Sequence, residues 1–102
     1  MSAPNLDPPD RQRLSAVVTG RVQGVGFRWW VRTIAARLSL TGWVANRDDE
    51  RSVELVAEGT PAALTELERL LRKGPPGAVV DAVEVTRGSA TGSYARFEIT
   101  RS

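Results

Sequence analysis

The sequence of 102 residues contains no cysteine and no histidine. These absences exclude disulfide bonds, thiol nucleophiles, thiolate zinc sites and acid–base catalysis by imidazole. Lysine is nearly absent as well, because all but one of the 14 basic residues are arginine. Any chemistry must therefore be carried out by arginine, amide, carboxylate and hydroxyl side chains together with the backbone.

Long hydrophobic runs are also missing, and no segment approaches the length of about 20 apolar residues that spans a membrane. The first ten residues contain prolines and aspartates but no apolar signal segment. We therefore expect a soluble cytoplasmic protein with a flexible tail at residues 1–12 and one domain at residues 13–102. A monomer is the default expectation at this size.

The charge balance is only a weak indication of nucleic-acid binding. The net charge is +2, and the isoelectric point is high mainly because arginine titrates so late. A small anionic substrate is equally compatible with this charge.

Two kinds of hydrophobic spacing alternate along the chain. Strands are expected at 13–20, 43–46, 52–58, 79–86 and 94–100. In segment 52–58 the predicted inward residues are Val53, Leu55 and Ala57, and the predicted outward residues are Glu54, Val56 and Glu58. One helix is expected to begin at Phe27, and a second at Thr60–Pro61, where a hydroxyl N-cap precedes proline.

This order, β-α-β-β-α-β with a short C-terminal strand added, indicates a ferredoxin-like α+β sandwich. In that fold two helices cover one face of a mostly antiparallel sheet. Because the fold carries many functions, the function has to be inferred from a site.

The most informative segment is the loop at residues 20–28, with the sequence Gly-Arg-Val-Gln-Gly-Val-Gly-Phe-Arg. Its glycines allow a tight turn with inward N–H groups, and a helix N-terminus behind such a turn favours anions. Arg28 adds a permanent positive charge at the loop exit. The segment therefore predicts a small phosphate-binding site. It matches neither the dinucleotide fingerprint nor the nucleoside-triphosphate loop.

Each candidate residue also has an ordinary structural interpretation. The glycines could form a plain strand-to-helix connection, Arg28 could be a solvated arginine, and Asn46 has the preference of asparagine for turns. Trp29, Trp30 and Trp43 are compatible with base stacking, although aromatic side chains in a small domain usually pack in the core.

Two motifs of this chain resemble the signatures of the acylphosphatase family. The first is Val-x-Gly-x-Val-Gln-Gly-Val-x-Phe-Arg at residues 18–28, which agrees at every specified position. The second is Gly-Trp-Val-Ala-Asn at residues 42–46, followed by Val53 and Gly59. The similarity extends from about residue 14 to residue 100.

The resemblance implies an enzyme that hydrolyses the carboxyl–phosphate bond of acyl phosphates to a carboxylate and inorganic phosphate. It implies no metal and no other cofactor, a small acyl phosphate as the partner, and neither nucleic acid nor membrane. Arg28 and Asn46 correspond to the catalytic residues: Arg28 binds phosphate and Asn46 orients the attacking water. The implied phosphate-binding residues are Gln23, Gly24, Val25, Gly26, Phe27 and Arg28.

The absence of histidine is consistent with this reaction. The leaving group is a carboxylate whose conjugate acid has a pKa of about 4, so it departs without a general acid.

One stretch departs from the family pattern. The turn after Asn46 is one residue longer than usual and lacks the usual glycine. We therefore expect Asp48 or Asp49 to take the left-handed conformation instead.

Two other functions remain open from the sequence. The first is an RNA-binding module, but Glu54, Val56 and Glu58 on the outward face offer no stacking ring and their charge repels phosphate. The second is a phosphate-metabolite sensor, or a remnant domain of a protein that handles carbamoyl phosphate.

Overall fold

Strands and helices follow one another in the predicted order. The computed structural model describes residues 11–100, so residues 1–10 of the predicted tail lie outside the described residues. The elements are β1 (Gln12–Arg21), α1 (Phe27–Arg37), β2 (Thr41–Asn46), β3 (Ser52–Gly59), α2 (Pro61–Lys73), β4 (Val79–Ser89) and β5 (Phe97–Ile99).

The ends of some strands differ from the prediction. β4 continues beyond residue 86 because it pairs with β1 along its whole length, from Arg21↔Val79 to Gln12↔Ser89. β5 is shorter than the predicted strand at 94–100, because only three residues pair with β2 at the edge of the sheet.

The sheet has the strand order β4-β1-β3-β2-β5. Every neighbouring pair is antiparallel except β2 and β5, which are parallel. This confirms the predicted ferredoxin-like α+β sandwich. No helix within residues 11–100 is long and apolar enough to cross a membrane.

The core lies between the helices and one face of the sheet. Alternate residues of β1 and β3 face each other there, and the pairs are Leu14↔Ala57, Ala16↔Leu55 and Val18↔Val53. All six are at most 2% exposed, which confirms the predicted inward positions. The helices add the buried side chains Val31, Ile34, Leu64, Leu67 and Leu71. Burial of each large side chain contributes about 1.5–3 kcal/mol.

Helix α2 begins as predicted. The hydroxyl of Thr60 accepts a hydrogen bond from the Ala63 N–H at 3.2 Å, and Pro61 is the first helical residue. This hydroxyl satisfies one of the N–H groups that a helix N-terminus otherwise leaves without a partner.

The other face of β3 is more buried than predicted. Val56 and Glu58, both predicted to face outward, are only 4% and 0% exposed. Val56 lies beside Trp43 of β2, and the connection between β4 and β5 folds over Glu58. Both side chains lie on the face opposite the core, as predicted, but they are not exposed there, because Val56 lies beside Trp43 and a distant segment of the chain covers Glu58.

Glu58 holds this connection through three hydrogen bonds. The Thr91 N–H and hydroxyl each donate to Oε2 at 2.8 Å, and the Gly92 N–H donates to Oε1 at 2.9 Å. Burial raises the pKa of Glu58, but these donors and the nearby charge of Arg13 outweigh it and hold the pKa below its ordinary value of 4.5. The ionised carboxylate is therefore the form that stabilises the fold.

We expect Glu58→Gln to lower the free energy of unfolding by about 1–3 kcal/mol at about pH 7, because a charged acceptor is lost from a buried site. Since the pKa is lower in the folded state, the stabilisation is complete above the unfolded pKa and is lost as the pH falls through the folded pKa. Urea denaturation of both proteins at about pH 7 and about pH 3 measures the difference.

Glu54→Gln is the matched control, because Glu54 lies on the same face of β3 and is only half-buried. It should change stability by less than about 0.5 kcal/mol. If the free energies of unfolding of wild type and Glu58→Gln differ by the same amount at both pH values, the role assigned to the ionised carboxylate is contradicted.

Candidate active site

The loop between β1 and α1 has the backbone shape expected of an anion site. Gly24 and Gly26 take left-handed conformations, with φ of 73° and 78°. Gly26 is the N-cap of α1, no side chain caps this helix, and its first turn contains no acidic residue. The first N–H groups of α1 therefore keep the positive potential that attracts an anion.

Arg28 lies in the first turn of α1 and is half-buried. None of the ion pairs found within residues 11–100 involves its guanidinium. Its positive charge is therefore not neutralised by a carboxylate of the described chain, and an anionic ligand can take that place.

Gln23 connects this loop to the turn between β2 and β3, residues 47–51. Its side-chain Nε2 donates to the carbonyl oxygen of Arg47 at 2.9 Å and to that of Ser52 at 2.8 Å. The Gly20 N–H adds a third contact, to the carbonyl oxygen of Arg51 at 3.0 Å. Sequence reasoning missed the side-chain contacts, because acceptors 24 and 29 positions away give no local signal.

Asn46 is the last residue of β2 and lies directly before this turn. It is half-buried, and alternation along β2 places it on the same face of the sheet as the buried Val44. Its side-chain Oδ1 is buried and accepts no hydrogen bond from residues 11–100. A buried acceptor without a partner costs about 1–3 kcal/mol, so Oδ1 is suited to accept from a water or a ligand.

The turn after Asn46 contains the predicted left-handed residue at a different position. It is Glu50, with φ of 61°, and neither Asp48 nor Asp49. The carboxylate of Asp49 accepts hydrogen bonds from the N–H groups of Arg51 and Ser52, both at 2.9 Å. The tight bend therefore falls at Glu50, the residue between the acceptor and the two donors. The prediction of Asp48 or Asp49 was therefore wrong because Asp49 uses its side chain to close the turn.

The same hydrogen bonds determine the charge state of Asp49. The Arg51 N–H, the Ser52 hydroxyl and the Ser52 N–H lower its pKa below the ordinary value of 3.8, and the charge of Arg47 acts in the same direction. Asp49 is therefore ionised at neutral pH.

The three tryptophans have different environments. Trp30 packs against Phe27 with ring centroids 5.3 Å apart, which is the core packing expected of an aromatic residue. Trp29 is 60% exposed, and the guanidinium of Arg32 lies 5.5 Å from its ring. Trp43 lines an open cavity of about 580 Å³ that also includes Asn46.

The structure therefore brings two of the predicted segments together. The loop at 23–28 contacts the turn that follows Asn46, through the side chain of Gln23. Within residues 11–100, no three acidic side chains are grouped as metal ligands would be.

Comparison with known proteins gives a consistent result. The model of the acylphosphatase family matches residues 14–99. An acylphosphatase of Dehalococcoides mccartyi is 49% identical over 86 residues, which cover 84% of this chain and 94% of the relative. The crystal structure of acylphosphatase from Bacillus subtilis has a TM-score of 0.83 at 40% identity and covers 87% of this chain and 98% of that one. The structure of an acylphosphatase from Coxiella burnetii has a TM-score of 0.86 at 35% identity, with 94% and 99% covered.

We expect Gly26→Ala to lower the free energy of unfolding by about 1–2 kcal/mol. An added Cβ meets no atom within 4 Å, so the cost arises from the left-handed backbone and not from a clash. Chemical denaturation measures this change. Gly88→Ala is the control, because Gly88 also has open space around it but does not have the positive φ. Equal losses in the two variants would contradict a conformational requirement at Gly26.

Proposed function

The chain belongs to the acylphosphatase family, and we propose that the loop at residues 23–28 and Asn46 form its active site. The enzyme hydrolyses the carboxyl–phosphate bond of acyl phosphates and releases a carboxylate and inorganic phosphate. The observation that carries the proposal for the site is the pair of hydrogen bonds from Gln23, which joins the loop to the turn after Asn46.

In this proposal the loop N–H groups and Arg28 bind the phosphoryl group. The left-handed glycines and the uncapped helix N-terminus supply N–H donors, and Arg28 supplies a planar pair of donors that fits two phosphate oxygens. Charge accumulates on the equatorial oxygens as the phosphoryl group is transferred, so fixed donors around these oxygens stabilise the transition state.

Asn46 orients the attacking water. Its buried Oδ1 accepts a hydrogen bond from the water and so turns a lone pair of the water oxygen towards phosphorus. A new P–O bond forms, and the bond between phosphorus and the acyl oxygen breaks. The carboxylate leaves with the electron pair, and the water proton passes to a phosphate oxygen. Positioning of this kind can supply a large part of the rate enhancement.

The acyl group is left loosely specified in this proposal, because the donors described contact the phosphate. We therefore propose broad tolerance for the acyl part of the substrate. The assignment of a monomer and of a cytoplasmic location also remains a prediction.

We expect Arg28→Ala to lower kcat/KM by at least about 10³-fold, mainly through lost phosphate binding. Arg28→Lys should also be impaired, because a point charge cannot replace the planar pair of donors. The assay is release of inorganic phosphate from benzoyl phosphate without added metal, and inorganic phosphate should inhibit the wild type competitively.

Arg32→Ala is the matched control, since it removes the same charge one turn further along α1 from an exposed position. It should retain near-normal activity. Near-normal activity of Arg28→Ala, or a wild type that is insensitive to high phosphate, would remove the assignment of the loop.

We expect Asn46→Ala to lower kcat by about 10²-fold and to change the inhibition constant of phosphate little, because Asn46 holds the water and not the phosphate. Steady-state kinetics with benzoyl phosphate and phosphate inhibition measure the two effects separately. An unchanged kcat would show that Asn46 does not orient the water, and a parallel loss of phosphate binding would assign it to the phosphate site.

A further inference from the structure

Asp49 makes an unusually complete set of hydrogen bonds for an exposed side chain. Its Oδ1 accepts from the N–H groups of Arg51 and Ser52, both at 2.9 Å, and its Oδ2 accepts from the Ser52 hydroxyl at 2.7 Å. Asp49 therefore fixes both the backbone and the side chain of Ser52.

Ser52 transmits this constraint, because it is only 3% exposed and its N–H, hydroxyl and carbonyl groups all make hydrogen bonds. Its N–H and hydroxyl bind Asp49, and its carbonyl oxygen accepts from Gln23 Nε2 at 2.8 Å and from the Arg47 N–H at 2.9 Å. A displacement of Ser52 would therefore change both the contact with the phosphate loop and the start of the turn.

The peptide groups that follow Asn46 are held by the same atoms. The Arg47 N–H donates to the carbonyl oxygen of Ser52, and the Arg47 carbonyl oxygen accepts from Gln23 at 2.9 Å. Both hydrogen bonds involve the residue next to Asn46, so they fix the backbone from which the Asn46 side chain projects relative to the loop.

We propose that Asp49 is a positioning residue for the hydrolysis, holding Asn46 in register with the phosphate loop through Ser52 and Gln23. This inference rests on the proposed role of Asn46. Asp49 belongs to the turn that is longer than the family pattern and lacks its glycine. Its carboxylate adds side-chain hydrogen bonds to the backbone bond between the Arg47 N–H and the Ser52 carbonyl oxygen that closes this turn.

The position of Asp49 predicts an effect on turnover without an effect on phosphate binding. Loss of its carboxylate leaves the N–H groups of Arg51 and Ser52 without their acceptor and the Ser52 hydroxyl with only its contact of 3.3 Å with the Thr19 hydroxyl, so we expect the turn to relax and Ser52 to move. The N–H groups of the loop and Arg28 make no hydrogen bond with Asp49, and they continue to bind the phosphate.

The first test is Asp49→Ala, assayed with benzoyl phosphate. We expect kcat to fall about 10-fold while the inhibition constant of phosphate changes less than about twofold. Asp49→Asn should restore most of the activity, because its side-chain oxygen can still accept from both N–H groups. Asp48→Ala is the matched control, since it removes the same charge from the neighbouring exposed residue, and its kcat should be unchanged.

Thermal unfolding of each variant shows whether it is folded at the assay temperature. If Asp49→Ala does not fold, Ser52→Ala replaces it, because this change removes the hydroxyl that donates to Asp49 at 2.7 Å, together with its longer contact of 3.3 Å with the Thr19 hydroxyl. The same fall in kcat at constant phosphate inhibition is expected, at smaller size. A loss of phosphate binding that parallels the loss of kcat would overturn the inference, since it would indicate general damage to the fold.

The second test places Asp49→Ala in the Asn46→Ala background. If Asp49 acts through Asn46, the double variant has the kcat of Asn46→Ala alone. In that background the Asn46 side chain is already absent, so removing Asp49 has nothing further to displace. If the two effects multiply, Asp49 acts independently and the inference is overturned. If Asn46→Ala itself keeps the wild-type kcat, the proposed role of Asn46 fails. If Asn46→Ala is slow but Asp49→Ala keeps the wild-type kcat, only the inference about Asp49 is overturned.

Discussion

The site depends on one amide side chain, that of Gln23. Its Nε2 carries two hydrogens, and it donates to the carbonyl oxygens of Arg47, the first residue of the facing turn, and of Ser52, the first residue of β3. A carboxylate could not make these bonds, and a hydroxyl could donate only one. The loop that is suited to bind phosphate and the strand end that carries Asn46 come from different parts of the chain. This pair of hydrogen bonds joins the loop to that strand end, together with the bond from the Gly20 N–H to Arg51 and the contact between the Thr19 and Ser52 hydroxyls.

The charges around the site are arranged so that its positive groups have no carboxylate partner among the described residues. The first turn of α1 has no acidic residue, and Arg28 has no carboxylate partner within residues 11–100, so positive potential is left for an anion. The carboxylate of Asp49 is instead occupied by two backbone N–H groups and a hydroxyl. A hydrolysis with a good leaving group and a pre-charged substrate requires little beyond fixed positive groups, which is consistent with a sequence that contains no histidine.

Periodicity and local capping signals were sufficient to predict the order of the strands and helices, the inward face of β3 and the start of α2 at Thr60. These features depend on residues that are neighbours in the chain. The burial of Glu58 could not be predicted in this way, because its donors lie 33 and 34 positions further on. For the site, the glycine pattern predicted a tight turn between β1 and α1, where Gly24 and Gly26 take left-handed conformations. The side-chain contacts of Gln23 gave no signal, and the catalytic roles of Arg28 and Asn46 remain predictions from the resemblance.

The turn after Asn46 lacks the glycine of the family pattern and is held by side-chain hydrogen bonds instead. A glycine makes a left-handed bend without steric cost, but it leaves the backbone free in the unfolded chain. Here a non-glycine residue, Glu50, takes that conformation at φ of 61°, and the Asp49 carboxylate holds the following N–H groups. The bend is thereby stabilised by side-chain hydrogen bonds, so the geometry of this turn depends on the side-chain oxygens of Asp49 and on their contacts with Arg51 and Ser52. Because Asn46 lies directly before this turn, we expect the proposed site to be sensitive to residues that never touch the substrate.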